Sequence, residues 1–148
     1  MANVLVASSD YHPREEFWNA ATHAIGVAFG ITALVLMLIK AVQSELNFSG
    51  FQVTGIALYG SSLILMFLSS TLYHVFSNTK AKFVLKRIDH SAIFALIAGT
   101  YTPILLIGLN NNKALFFFWL LWSIALIGII FKIFFIHRSW NMLMAHYL

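Results

Sequence analysis

Leu46 to Thr79 reads LNFSGFQVTGIALYGSSLILMFLSSTLYHVFSNT, with no Asp, Glu, Lys or Arg anywhere in it. A membrane-spanning helix needs about 20 mostly apolar residues, so this stretch can cross a bilayer and tilt. Charge-free runs surround it at residues 17–39, 90–112 and 114–131, with a shorter one at 139–148. The whole chain of 148 residues is 60% hydrophobic and 9% charged, and its mean hydropathy is +0.83. Soluble domains carry about 25% charged residues, and a chain this short cannot bury so much apolar surface in one core. A soluble monomer is excluded. The expected architecture is all-α, a polytopic transmembrane helical bundle with four full spans and the start of a fifth.

Working outward from the opening stretch, residues 1–16 form a polar tail and residues 17–148 a single membrane domain. Pro13 ahead of Glu15 and Glu16 marks a helix start with acidic charge in its first turn. The spans are expected at Phe17–Ile39, Phe51–Phe76, Ile88–Leu109 and Ala114–Ile136. His137-Arg138-Ser139 is read as a loop before a fifth span. Between spans two and three lies a basic loop, Ser77 to Arg87, and the triplet Asn110-Asn111-Asn112 reads as a tight polar turn. The tail opposes Asp10, Glu15 and Glu16 to a single Arg14, the reverse of a signal peptide's basic start. The first span is therefore expected to stay in the mature protein.

Orientation follows from Lys and Arg in the loops. Arg14, Lys80, Lys82, Lys86, Arg87, Lys132 and Arg138 fall on one side, Lys40 and Lys113 on the other. That bias predicts a cytoplasmic N-terminus in a multi-pass cell-membrane protein. The net charge of +4 is thus a matter of topology, and no nucleic-acid partner is expected. There are no cysteines, which removes disulfides, thiolate metal sites and Cys nucleophiles. Nothing in the sequence specifies an oligomer.

Polar residues in lipid are costly and mark candidate sites. In span one, Asn19, Thr22, His23, Gly26 and Gly30 recur at helical spacing, and the two glycines would let another helix approach closely. Ser70 and His74 close span two, four residues apart and hence on one face. Asp89 and His90 open span three. A short connection makes the two spans antiparallel neighbours, so Ser70, His74 and Asp89 can share one pocket at the cytoplasmic edge. A neutral imidazole is a good zinc ligand and a carboxylate can orient a water. The same residues also read as an interfacial histidine and an Asp that pairs with Arg87 or caps span three. In Gly99-Thr100-Tyr101-Thr102-Pro103 the proline should kink the helix, with a threonine hydroxyl serving a freed carbonyl. Phe116, Phe117, Phe118, Trp119 and Trp122 read as lipid-facing and belt residues, and His12, His137 and His146 as surface or interfacial.

Together these motifs resemble the hemolysin III family, which belongs with the adiponectin and progestin receptors. The acidic pair Glu15-Glu16 with Asn19 and Thr22-His23, the Ser70-x-x-x-His74 pair, and Asp89-His90 followed by Gly99 to Pro103 match its motifs in order. The resemblance implies a seven-span bundle with zinc near the cytoplasmic face. Of its ligands, His74 is the one on the second helix; the other two come from a His-x-x-x-His on the seventh, which this chain lacks. It implies pocket roles for Ser70 and for Asp89, the latter as base or water orienter, so both are candidate catalytic residues. The chain is then a C-terminally truncated form with part of the zinc site. The implied function is an intramembrane zinc-dependent hydrolase of lipid amides or esters, with the bilayer as partner and a lipid as substrate. The alternatives are a pore-forming hemolytic protein and a receptor-like protein with structural zinc.

Overall fold

The computed structural model describes residues 11–77, 79 and 81–144, with side chains through residue 134. The tail before residue 11, Lys80 and His146 lie outside the described residues. Four long helices follow one another: α1 (Pro13–Gln43), α2 (Gly50–Val75), α3 (Lys82–Pro103) and α4 (Asn112–Met144), with a π-helical turn, Ile104–Leu109, continuing α3. All four are long and apolar enough to cross a membrane, and no strand occurs among the described residues. The expected all-α transmembrane architecture stands.

Each helix packs antiparallel on its chain neighbour, α1 on α2, α2 on α3 and α3 on α4. Small residues set these contacts, because lipid offers no hydrophobic force between helices and close packing must supply the attraction. A Cβ on Gly26 would meet the Phe67 ring at 2.5 Å, and one on Gly30 would meet Ile64 at 3.1 Å. From the other side, Gly60 of α2 faces Leu34. The α1 glycines therefore do line a helix interface, as their spacing predicted. Thr22 does not share that face: it is exposed and its hydroxyl donates to the Trp18 and Asn19 carbonyls. Gly99 of α3 lies against Ser62, and Gly128 of α4 against Phe94.

Caps decide where the helices begin. His12 and Glu15 form a capping box at α1, with Pro13 in the first turn, and Ser49 with Gln52 forms one at α2. Such caps stabilise a helix by about 1 kcal/mol. His12, exposed as expected, also caps α1. Asn110 turns the chain with a left-handed φ of 41°, and the Asn111 side chain accepts from the Ala114 backbone N–H, so the predicted polar turn is a helix stop and start.

Several boundaries depart from expectation. α3 begins at Lys82, so most of the expected basic loop is helix, and Asp89 lies about two turns inside α3 rather than opening it. The α4 backbone runs unbroken through 137–139 to Met144, where a loop and a new span were expected. Hydropathy marks the lipid slab, whereas a helix ends where its backbone groups find other partners.

Pro103 is the last residue of α3, yet the helical path continues beyond it. The helix widens into the π turn, closed by the Asn110 N–H donating to the Leu105 carbonyl at 3.0 Å. Gln52 Nε2 of α2 donates to the Leu106 carbonyl in that turn. Thr102 is wholly buried. Its hydroxyl donates to the Ala98 carbonyl and accepts from Trp122 Nε1 of α4 at 3.0 Å. Phe118 is buried with Leu105, Leu106 and Ala114 in the core, and Trp122 packs against that core. These two aromatics therefore face inward, contrary to the belt reading, while Phe116, Phe117 and Trp119 are exposed as expected.

Candidate functional site

The end of the molecule where α1 starts, α2 stops and α3 starts gathers its charged groups. Glu16 occupies the first turn of α1, His74 the last turn of α2, and Lys82 the first position of α3. His74 Nδ1 lies 2.5 Å from Glu16 Oε2, and both side chains are more than nine-tenths buried. Lys82 Nζ stands 3.9 Å from the other carboxylate oxygen, Oε1, and 5.8 Å from the centre of the Tyr73 ring. A buried charge is tolerated only when it is paired or hydrogen-bonded. Here one carboxylate from α1 hydrogen-bonds His74 and stands at ion-pair distance from Lys82, whose Nζ has no hydrogen-bond partner among the described residues.

The His74 ring is boxed by aromatic neighbours. Tyr73, His23 and Tyr11 have ring centroids 4.9, 5.9 and 6.1 Å away. His23 packs edge-on against Phe67, and its Nδ1 is 2.7 Å from the Asn19 carbonyl. Both histidines thus have Nδ1 engaged, one by a carboxylate and one by a backbone carbonyl. In each ring, Nε2 is the nitrogen that this bond leaves over.

Of the residues expected to share the pocket, Ser70 is buried on α2 one turn before His74. Asp89 is half-buried on α3. The bonded nitrogen of His74 faces Glu16, not Asp89, and among the described residues no hydrogen bond or ion pair joins Asp89 to His74. Nor do the described residues contain a group of three or more His, Asp or Glu side chains arranged to hold a metal. What the site offers a metal is an imidazole oriented by a buried carboxylate, the arrangement that metal-ligating histidines nearly always show. His74 fits the part of one ligand.

Glu16 and Lys82 were missed as members of this cluster. Glu15 and Glu16 are both first-turn acids of α1, as expected, but only Glu15 takes the His12 backbone N–H, while Glu16 also reaches α2. Lys82 was placed in a solvated loop. Along α3, Arg87 Nε, His90 Nδ1 and Ser91 Oγ are further buried polar atoms without a hydrogen-bond partner among the described residues.

Comparison with known proteins bears on this arrangement. The family described as Haemolysin-III related matches residues 11–147, a segment that contains the whole cluster. The chain belongs to the hemolysin III family. It is 46% identical over 125 residues to the Hemolysin-3 homolog of Bacillus subtilis (strain 168), covering 84% of this chain and 57% of that protein. It is 42% identical over 125 residues to Hemolysin-3 of Bacillus cereus, covering 84% and 56%. The chain thus spans about half the length of the curated relatives it matches. No solved structure matches it.

Proposed function

We propose that this hemolysin III chain carries part of a zinc site at the cytoplasmic end of a multi-pass cell-membrane protein, and that the whole protein hydrolyses lipid amides or esters. The observation that carries the reading is the bond between His74 Nδ1 and the buried Glu16 carboxylate, which leaves Nε2 as the ligand nitrogen. When bound, zinc with an open position supplies a water acidified to about neutrality. Each residue then has a task. His74 would hold the metal from α2, Ser70 would offer a hydroxyl one turn away, and Asp89 on α3 would serve as base or water orienter. Lys82 and Glu16, both buried, would balance charge beside it.

The cytoplasmic placement is supported by the charges, since Arg14, Lys86 and Arg87 sit at the same end as the cluster and Lys40 and Lys113 at the other. A pore-forming reading draws on the name Hemolysin-3 carried by the Bacillus cereus relative. It ranks second, because a pore needs a polar lining through its full depth. The hydroxyls of Ser62, Ser69 and Thr102 are instead closed onto carbonyls of their own helices.

Metal analysis tests the proposal. A catalytic zinc typically takes three protein ligands, so the 148-residue chain should retain little zinc after dialysis. A form extended to the relatives' full length should hold about one zinc per chain, and His74→Ala should lose it. Full zinc in the extended His74→Ala variant, or stoichiometric zinc in the short chain, refutes the assignment. Dye release from vesicles by the extended protein, without lipid cleavage, would favour the pore.

A further inference from the structure

Arginine keeps its charge in proteins and presents its donors in a planar fork, so a buried guanidinium nitrogen asks for an acceptor. Arg87 stands in the second turn of α3, and its Nε is buried without a hydrogen-bond partner among the described residues. The acid expected to pair with it does not: no ion pair among those residues joins Asp89 to Arg87. Residues two apart lie about 200° from each other round a helix, so Asp89 projects from another side. His90 and Ser91 follow Arg87 by three and four residues and share its face. His90 Nδ1 and Ser91 Oγ are likewise buried and unpartnered, and Ser91 is only 7% exposed. The hydroxyls of Thr100 and Thr102 further along α3 each close onto a carbonyl one turn back; that of Ser91 does not.

We propose that this strip of α3 binds the phosphodiester of an anionic membrane lipid, with the Arg87 fork as its main partner and the Ser91 hydroxyl as a donor on the buried side. Arg87 and His90 are half-buried, so the strip opens at the surface of the bundle. One turn nearer the helix start, on the same face, Phe83 and Val84 are exposed. Apolar side chains outside an arginine set its head at the level of the lipid headgroups, where phosphate is the abundant acceptor. The helix start adds to the attraction, since it carries the positive end of the dipole with no acidic residue in its first turn and no side-chain cap. Basic pockets between helices at a membrane edge bind such headgroups. None of the three groups is among those assigned to the metal, so the site does not rest on the zinc reading. An arginine that merely anchors the helix by its charge makes a different statement, because it has no use for Ser91 and no preference beyond net charge.

Lipid retention separates the two. The 148-residue chain is reconstituted with equal parts of phosphatidylglycerol and phosphatidylcholine, extracted in detergent, and its bound lipid identified by native mass spectrometry. The wild-type chain should keep phosphatidylglycerol in preference to phosphatidylcholine. Arg87→Gln should lower that retention about fivefold, the worth of one basic residue at an anionic surface. Ser91→Ala should lower it too while melting as the wild type does, because the hydroxyl bonds no described residue. Arg14→Gln removes an exposed charge from the same end of the molecule and should leave retention unchanged. No preference for phosphatidylglycerol in the wild-type chain overturns the proposal, and this holds even if Arg87→Gln fails to fold. So does an equal loss from Arg14→Gln, which makes the effect one of overall charge. Unchanged retention in a folded Ser91→Ala variant, or displacement of the lipid by inorganic phosphate, overturns it as well, the latter by making the site one for a free anion.

Discussion

Thr102 joins α3 to α4 at a point where lipid sets the energy scale. Its hydroxyl is wholly buried, donates to the Ala98 carbonyl and accepts from Trp122 Nε1 at 3.0 Å. Thr102→Val preserves shape but leaves the indole N–H without a partner. In a water-soluble core, such an orphaned donor costs about 1–3 kcal/mol. In a membrane the separated helices also find partners, and measured couplings average about 0.6 kcal/mol with a maximum near 1.7. The membrane scale applies, so Thr102→Val should destabilise by about 1 kcal/mol, roughly a fivefold change in the folding equilibrium. Trp122→Phe loses volume as well as the N–H, and a double-mutant cycle cancels the volume term. The cycle should return a coupling of about 0.6–1.7 kcal/mol, measured by reversible unfolding in mixed micelles. Thr102→Ser keeps the hydroxyl and should retain most of it. A coupling indistinguishable from zero, or a stabilised Thr102→Val variant, refutes the claim that this bond ties the two helices.

Two further outcomes are open to direct measurement. Gly26→Ile drives a branched side chain into the Phe67 ring, 2.5 Å from where its first carbon would sit, and should cost more than the ~1–3 kcal/mol typical of overpacking. Gly108→Ala, which meets nothing within 4 Å, is the control, and equal melting of the two variants in detergent removes the α1–α2 interface from the account. For orientation, single cysteines at the exposed Thr79 and Asn111 suit a chain that has none of its own; an impermeant reagent applied outside intact cells should label position 111, and preferential labelling at 79 reverses the topology.

What the sequence made legible followed from periodicity and charge. Four apolar runs became four helices, Gly26 and Gly30 met α2, and Asn110 to Asn112 turned the chain. Phe118 was misplaced although its signal was present: Ala114, Phe118, Trp122 and Ala125 recur at helical spacing, three of them are buried, and Trp122 packs on their core. Four consecutive aromatics on a helix cannot all face lipid, and the stripe of small partners names the one that does not. The partner of His74 had no such signal. Glu16 lies 58 positions away in sequence, and choosing it over Asp89 requires the register between α1 and α2, which the glycine contacts fix only in three dimensions. The start of α3 was hidden for another reason, since Lys82 looks like loop until a carboxylate from a different helix is seen to receive it.

That start of α3 violates the local rules for a helix N-terminus. It has no side-chain cap and no acidic residue in its first turn, and it places a lysine where the helix dipole disfavours positive charge by about 0.3–1 kcal/mol. Local sequence alone would not begin a helix there. The offset comes from α1, whose first turn delivers Glu16, an acid well placed for its own helix and within 3.9 Å of the Lys82 ammonium. Along most of its length α1 packs on α2 through glycines and apolar side chains, so the carboxylate bridges to α3 only at this end. Deeper in the slab the same three charged or ionisable groups would have to leave water entirely, at a far higher cost. At the helix ends they are buried against one another close to the membrane edge. The closing of this end of the molecule and the orienting of His74 are therefore one arrangement, and a substitution at Glu16 disturbs both.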